Sequence, residues 1–255
     1  VMVTQKVVYG KMGGYLDMVV VRVYRYKKRA AQVIMDKITE MWRYLDIPAN
    51  TKVISVRAPT KWGYNNNPLS NFAMSCRFAC APIEFSYNPA QWFVIIDADV
   101  IPTRRSALVE LHDFLLHSPQ CANADIATRH IITDWFTLCD KLRAWRISCS
   151  GIATNAISEG IVAMRYKLMR LLSNWSAFLL SNRYYTEMEY SILLPQLRFV
   201  EFPVRLCEVV NIYEVRWVTD LSPAFIHPSG GDYSAPHIAQ LSRVISSAWE
   251  RLKEG

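Results

Sequence analysis

The chain has 255 residues, of which 51% are hydrophobic and 20% are charged, and it carries a formal net charge of +7 with a pI near 9.1. This composition excludes an intrinsically disordered chain, and the apolar runs are far too short to span a bilayer. The positive charge favours an anionic partner, such as a nucleotide, a nucleic acid, an anionic glycan or a membrane surface, and does not choose among them.

The cysteines give no sign of a metal site or a disulfide framework. None of the six forms a Cys-x-x-Cys pair, and no Cys/His cluster has zinc-finger spacing. Scattered cysteines are typical of a reducing compartment. No basic segment followed by an apolar stretch opens the chain, so we expect no signal peptide and a cytoplasmic location.

The first half of the chain alternates strand and helix patterns. After a short strand around Val7–Tyr9, a strongly β-prone run predicts a central strand over Met18–Tyr24. Apolar residues at helical spacing then predict a helix from Ala31 that ends before Pro48, and Lys52–Val56 predicts the next strand. Strand, helix and strand in this order predict a right-handed βαβ unit.

The middle of the chain holds its most strongly apolar stretch. A loop rich in turn-forming residues follows the βαβ unit, and a helix is expected from about Leu69 to Ala81. The unbroken apolar run Trp92–Ile96 then predicts a strand buried on both faces of a mainly parallel sheet.

The second half continues the alternation without an internal repeat or a clear linker. Helices are expected over Ser106–Leu116, Asp134–Arg146, Tyr166–Leu180 and Pro236–Lys253, with a short one opening at Thr186. Strands are expected over Asp125–Ile132, Ile157–Met164, Leu197–Pro203 and Ala224–His227. The pattern predicts a single α/β domain with a mainly parallel central sheet flanked by helices.

Two carboxylates, Asp97 and Asp99, end the most apolar strand. In a mainly parallel sheet the ligand crevice lies beyond the carboxyl ends of the strands. On an extended segment the side chains at i and i+2 point to the same side, so both carboxylates would face one cation. The alternative is that they cap the next helix, for which Pro102 and Thr103 supply a start.

These features resemble the GT-A class of nucleotide-sugar glycosyltransferases. The likeness lies in the early βαβ unit, the helix before an apolar strand, and Asp97-Ala98-Asp99 as the Asp-x-Asp motif of the class. It extends to a glycine-entered strand at Glu159–Met164, an acidic helix start and a histidine, His227, after a late strand. The resemblance implies one GT-A-like domain, with residues 1–104 as the nucleotide-binding half and 105–255 as the acceptor side.

The resemblance also implies a metal site. Asp99 would hold Mn²⁺ or Mg²⁺ directly, Asp97 would reach the metal through water or bind the ribose of the donor, and His227 would be a third ligand that favours Mn²⁺. A cation held there stabilises the negative charge of the departing diphosphate. The alternative for His227 is a turn histidine satisfied by the backbone.

Other candidate residues follow from the same resemblance. Glu189 and Glu187 are candidate bases for the acceptor hydroxyl in an inverting enzyme, or they only stabilise a helix N-terminus. The candidate donor contacts are Asp97, Arg77, Asn71 and Glu159. The candidate acceptor or phosphate contacts are Arg25, Lys27, Lys28, Trp62 and Tyr64, for which a solvated surface and loop packing are the alternatives.

The expected partners are a nucleotide-diphosphate sugar and a hydroxyl-bearing acceptor. The acceptor is a glycan or another polymer, including a polyanion such as DNA with hydroxymethylated bases. One rival interpretation is a haloacid-dehalogenase-type phosphatase with Asp97 as nucleophile, which the late position of the strand and the isolated Asp220 and Asp232 disfavour. The other is a non-enzymatic basic nucleic-acid-binding protein, whose cations would form a stripe rather than lie dispersed.

Overall fold

The computed structural model describes residues 5–9, 16–24, 29–57, 90–131, 156–165, 198–211, 220–229 and 235–254. Within these ranges the strands are β1 (Gln5–Tyr9), β2 (Leu16–Tyr24), β3 (Thr51–Arg57), β4 (Ala90–Asp97), β5 (Ile101–Pro102), β6 (Ile126–Ile131), β7 (Ala156–Arg165), β8 (Phe199–Glu201), β9 (Cys207–Asn211) and β10 (Phe225–Ser229). The helices are α1 (Arg29–Met41), α2 (Ala107–His117) and α3 (Ala235–Glu254), with 3₁₀ turns at Trp42–Tyr44 and Pro119–Cys121.

A seven-stranded sheet in the order β1-β3-β2-β4-β7-β6-β8 forms the centre of the fold. β2 lies between β3 and β4 and is parallel to both, whereas β7 is antiparallel to β4 and β6, and β1 is antiparallel to β3. Since β8 is parallel to β6, five of the seven strands run in one direction. This arrangement confirms the predicted α/β class with a mainly parallel central sheet.

The predicted βαβ unit is present as β2, α1 and β3. α1 begins two residues earlier than expected and passes into the Trp42–Tyr44 turn before Pro48. Its apolar side chains Ile34, Met35 and Ile38 are buried against the sheet, at spacings of one helical turn. The period of the apolar residues therefore located this helix correctly.

β4 is buried on both faces, as its unbroken apolar run predicts. Trp92, Val94 and Ile96 pack in the core cluster that also contains residues of α1 and α2. Phe93 and Ile95 point to the opposite face and are at most 1% exposed. The strand therefore delivers its carboxyl end, Asp97, from the interior of the sheet.

A second, three-stranded sheet in the order β5-β10-β9 adjoins the first. β10 is antiparallel to β5 and parallel to β9. β10 was expected, but neither β5 nor β9 was. β5 has two residues, which is too short to show a period, and β9 alternates too little to stand out from the loops around it.

Several expected elements fall outside the described residues, namely the helices over Leu69–Ala81, Asp134–Arg146 and Tyr166–Leu180 and the one opening at Thr186. None of the helices that the structure describes has the length and apolar character needed to cross a bilayer.

Two of the scattered cysteines are buried free thiols. Burial raises the pKa of the Cys207 thiol to about 12 and that of the Cys121 thiol to about 11. Both thiols are therefore protonated at neutral pH and serve as small apolar core residues.

Candidate functional site

The two aspartates lie on a tight turn at the end of β4. The Val100 N–H donates to the Asp97 carbonyl at 3.2 Å, so residues 97–100 form a β-turn, which we call the acidic turn. The expectation that Asp97 and Asp99 share an extended segment is therefore wrong. The turn nevertheless keeps both carboxylates largely buried, with side chains 19% and 12% exposed.

The capping alternative for the two aspartates is also wrong. α2 begins only at Ala107, and the residue at its N-cap is Ser106. Between the acidic turn and α2 the chain forms β5, which carries it into the second sheet. The carboxylates are thus not used to start a helix.

Strand pairing brings His227 to the acidic turn across a long stretch of sequence. In the pairing of β10 with β5, Ile226 lies opposite Ile101, so one further step sets His227 beside Val100. His227 lies inside β10 rather than after it, because pairing with β9 continues the strand to Ser229. Since His227 is in a strand, the alternative of a turn histidine does not apply.

The three predicted metal ligands converge on one point. Nε2 of His227 lies 3.7 Å from Oδ2 of Asp97 and 3.7 Å from Oδ1 of Asp99, and the three side chains offer ligand atoms within 4.8 Å of one another. For metal–ligand bonds of about 2.1 Å, neighbouring octahedral ligands lie about 3.0 Å apart and opposite ones about 4.2 Å apart. Two carboxylate oxygens and one imidazole nitrogen at this spacing fit a divalent cation such as Mg²⁺ or Mn²⁺.

Arg22 lies beneath the acidic turn and was missed by the sequence analysis. It is fully buried in β2, and its Nη2 donates to the Ala98 carbonyl at 3.1 Å. Its guanidinium also lies over the Trp42 ring, 4.4 Å from the centroid. The available signal was a charged residue inside the otherwise apolar run Met18–Val23, where a buried charge needs a specific partner.

Trp42 supports the same turn from the 3₁₀ segment after α1. Its Nε1–H donates to the Val100 carbonyl at 3.3 Å, and its ring stacks on Phe225 of β10 with centroids 5.7 Å apart. Two backbone carbonyls of the acidic turn, those of Ala98 and Val100, are therefore held by side-chain donors from the core. The Phe225 contact joins this support to the strand that carries His227.

The segment after β5 is fastened to the segment before β10. The Thr103 N–H donates to the Ala224 carbonyl at 3.0 Å, and the Thr103 hydroxyl donates to the Pro223 carbonyl. Arg104 donates to the Ser222 carbonyl and binds both carboxylate oxygens of Glu110 at 2.6 Å. The hydrogen bond from Arg104 is the main reason that the pKa of Glu110 lies below its ordinary value of 4.5.

Of the remaining predicted site residues, Glu159 lies in β7, next along the chain to Gly160. The others lie outside the described residues and stay predictions: Arg25, Lys27, Lys28, Trp62, Tyr64, Asn71, Arg77, Glu187 and Glu189.

Solved structures similar to this chain include two glycosyltransferases. One is a glycosyltransferase involved in the glycosylation of the major capsid of PBCV-1, with 16% identity over 89% of this chain and 99% of that one, at a TM-score of 0.58. The other is the bifunctional glycosyltransferase WbbM, with 14% identity over 94% of this chain and 52% of that one, at a TM-score of 0.51. No protein-family model and no curated protein matches the sequence.

At these identities the likeness is one of fold. The chain has the GT-A-like α/β fold that the resemblance around the Asp-x-Asp motif predicted. It corresponds to nearly the whole of the first structure and to about half of the second, at 99% and 52% of their lengths.

Proposed function

We propose that this protein is a metal-dependent glycosyltransferase that moves a sugar from a nucleotide-diphosphate donor to a hydroxyl group of an acceptor. The observation that carries the proposal is the convergence of Asp97, Asp99 and His227 at the carboxyl end of β4. In an open α/β sheet this edge is where ligands bind, and glycosyltransferases are among the structures with this fold.

The three side chains would hold Mn²⁺ or Mg²⁺, and the imidazole nitrogen favours Mn²⁺. When bound, the cation supplies positive charge that stabilises the diphosphate leaving group. Asp97, Asp99 and His227 are 19%, 12% and 8% exposed, so the charges of the two carboxylates act in a medium that screens them less than water does. We assign Asp99 as the direct ligand, and Asp97 as a ligand through water or a contact of the ribose.

The remaining roles are assigned to residues of the two halves of the chain. Residues 1–104 form the nucleotide-binding half and 105–255 the acceptor side. Glu189 or Glu187 takes the proton of the acceptor hydroxyl if the reaction inverts configuration. The net charge of +7 supports an anionic partner, and the donor diphosphate is such a partner. The acceptor is a glycan or another polymer.

The first test is a thermal-shift screen of nucleoside diphosphates with and without Mn²⁺. We expect one diphosphate to stabilise the protein only when Mn²⁺ is also present, and its base identifies the donor. At about 100 times the dissociation constant the stabilisation is about 2.7 kcal/mol, which raises Tm by roughly 5–10 °C for a chain of this size.

Asp99→Asn is the matched variant for this screen, because it removes a charge and keeps the size of the side chain. It should abolish the joint stabilisation by Mn²⁺ and nucleotide, and with it the slow Mn²⁺-dependent hydrolysis of the sugar nucleotide. Asp46→Asn is the control, since Asp46 is exposed on the surface and its carboxylate lies 3.4 Å from the guanidinium of Arg105. Unchanged joint binding in Asp99→Asn contradicts the proposal, and release of phosphate from an aryl phosphate would favour the phosphatase.

A further inference from the structure

The strand next to the acidic turn carries a glycine at the level of Asp97. In the antiparallel pairing of β4 with β7, Ile96 lies opposite Ile161, so the next step of this register sets Gly160 beside Asp97. Gly160 is buried, and the imidazole of His227 lies against it. The first and second sheets therefore meet at these two residues.

The contact between Gly160 and His227 leaves no room for a side chain. A Cβ on Gly160 would lie 2.1 Å from Nδ1, 2.3 Å from Cγ and 2.7 Å from Cε1 of His227. Non-bonded carbon atoms normally approach to about 3.5–4.0 Å. The φ angle of Gly160 is outside the left-handed region, so the position requires the space that glycine leaves and not its conformational freedom.

His227 has little freedom to move away from this contact. β10 is paired on one side with β5 and on the other with β9, and the His227 side chain is 8% exposed. The Nδ1 edge of the ring faces Gly160, while Nε2 lies 3.7 Å from a carboxylate oxygen of each aspartate. A shift of the ring by an ångström or more, which a new methyl group would force, therefore changes the position of Nε2 directly.

We propose that Gly160 is a positioning residue for the metal site: its missing side chain leaves the space in which the His227 imidazole lies with Nε2 directed at Asp97 and Asp99. This inference rests on the proposed metal site and adds to it a residue that bears no ligand atom. Interior positions of a buried strand usually hold β-branched residues, and the contact with His227 explains why β7 holds a glycine at this position.

The test compares Mn²⁺ binding by the whole protein in the absence of any substrate, measured by the electron paramagnetic resonance signal of free Mn²⁺. Outer-shell changes at metal sites typically weaken binding by about 10–100-fold, and we expect Gly160→Ala to weaken Mn²⁺ binding within this range and His227→Ala to weaken it at least as much. Ala163→Val is the control, because it adds bulk to the same buried strand about 10 Å further along, opposite Val94. It should lower Tm without changing the Mn²⁺ dissociation constant.

The double variant Gly160→Ala/His227→Ala separates positioning from a structural role of the glycine. With the imidazole removed, the new methyl group has room, so the double variant should melt at a higher temperature than Gly160→Ala alone. Its Mn²⁺ dissociation constant should equal that of His227→Ala. If Gly160→Ala alone is poorly folded, a folded double variant gives the first result, and the comparison of its dissociation constant with that of His227→Ala remains measurable.

The outcomes distinguish this inference from the proposed function. A wild-type protein that binds no Mn²⁺, either alone or together with any nucleoside diphosphate, overturns both. If the wild type binds Mn²⁺ and His227→Ala weakens this binding but Gly160→Ala does not, only the role of Gly160 is overturned. A double variant that melts as low as Gly160→Ala also overturns it, because the glycine would then be needed for a reason other than His227.

Discussion

The candidate site has two walls, the acidic turn of residues 97–100 and the histidine wall, which is His227 on β10. They are held in place in opposite ways. The acidic turn is supported by side chains that reach it from the core, since Arg22 donates to the Ala98 carbonyl and Trp42 to the Val100 carbonyl. His227 is held by strand pairing on both sides of β10, and its ring lies in the space that Gly160 leaves free. The first wall is therefore sensitive to the removal of atoms, and the second to their addition.

The largest effect on the acidic turn is expected from Arg22→Met. This change removes a fully buried donor and leaves the Ala98 carbonyl without it, while methionine fills part of the volume. We expect a loss of about 3 kcal/mol in the free energy of unfolding, because buried charge-assisted hydrogen bonds are costly to break. Urea denaturation measures the loss, and a Mn²⁺ titration of the folded variant should show weaker binding.

Arg165→Met is the matched control for Arg22→Met. Arg165 also lies over a tryptophan ring, that of Trp92 at 4.0 Å, and donates to backbone carbonyls, including that of Cys121 at 3.0 Å. It pairs with the start of β4, at the opposite end of the strand from Asp97. Arg165→Met should therefore cost stability and leave Mn²⁺ binding unchanged, and equal Mn²⁺ binding by both variants would contradict the role given to Arg22.

A smaller effect on the same wall is expected from Trp42→Phe. Phenylalanine keeps an aromatic ring against Phe225 but removes the donor to the Val100 carbonyl. The lost hydrogen bond to a buried acceptor and the smaller buried ring together predict a loss of about 2 kcal/mol. Urea denaturation measures this loss in the free energy of unfolding. The control is Trp249→Phe, which changes a half-buried ring of α3 next to Tyr44. Equal losses in the two variants would mean that the Val100 hydrogen bond does not contribute to stability.

The comparison of the two walls also shows what could be predicted from the sequence. β2 and β4 were predicted from β-prone and unbroken apolar runs, β3 from the short run that follows the helix, and α1 from apolar residues at helical spacing. Asp97, Asp99 and His227 were predicted together because the resemblance supplied the link between them, which no local pattern contains. The structure places the three side chains together, although the aspartates lie on a turn and the histidine lies within its strand.

The supports of the site could not be predicted from local patterns. Arg22 acts on Ala98 and Gly160 makes room for His227, and the members of each pair lie far apart in the chain. Such pairs are created by strand order and register: the first depends on the pairing of β2 with β4, and the second on the sheet that β10 forms with β5 and β9, the two described strands that were not predicted. A glycine in a strand or an arginine in an apolar run indicates that the position has a specific contact, but the sequence does not show which residue makes that contact.

The smallest expected effect concerns the approach to the histidine wall. Arg104 donates to the Ser222 carbonyl ahead of β10 and is itself held by Glu110, and both side chains are about one-third exposed, at 33% and 35%. Allowing for solvent screening, Glu110→Gln should lower the free energy of unfolding by about 0.5 kcal/mol at pH 7. Because Arg104 lowers the pKa of Glu110 from 4.5, this contribution is fully present above pH 4.5 and is lost as the pH falls through the lowered value. Urea denaturation from pH 7 to pH 3 should thus show the free energies of unfolding of the wild type and the variant converge in acid. The control is Glu250→Gln, on the exposed face of α3, which should change the free energy of unfolding by less than about 0.3 kcal/mol at pH 7. A difference that widens as the pH falls would mean that the carboxylate of Glu110 does not stabilise this approach through Arg104.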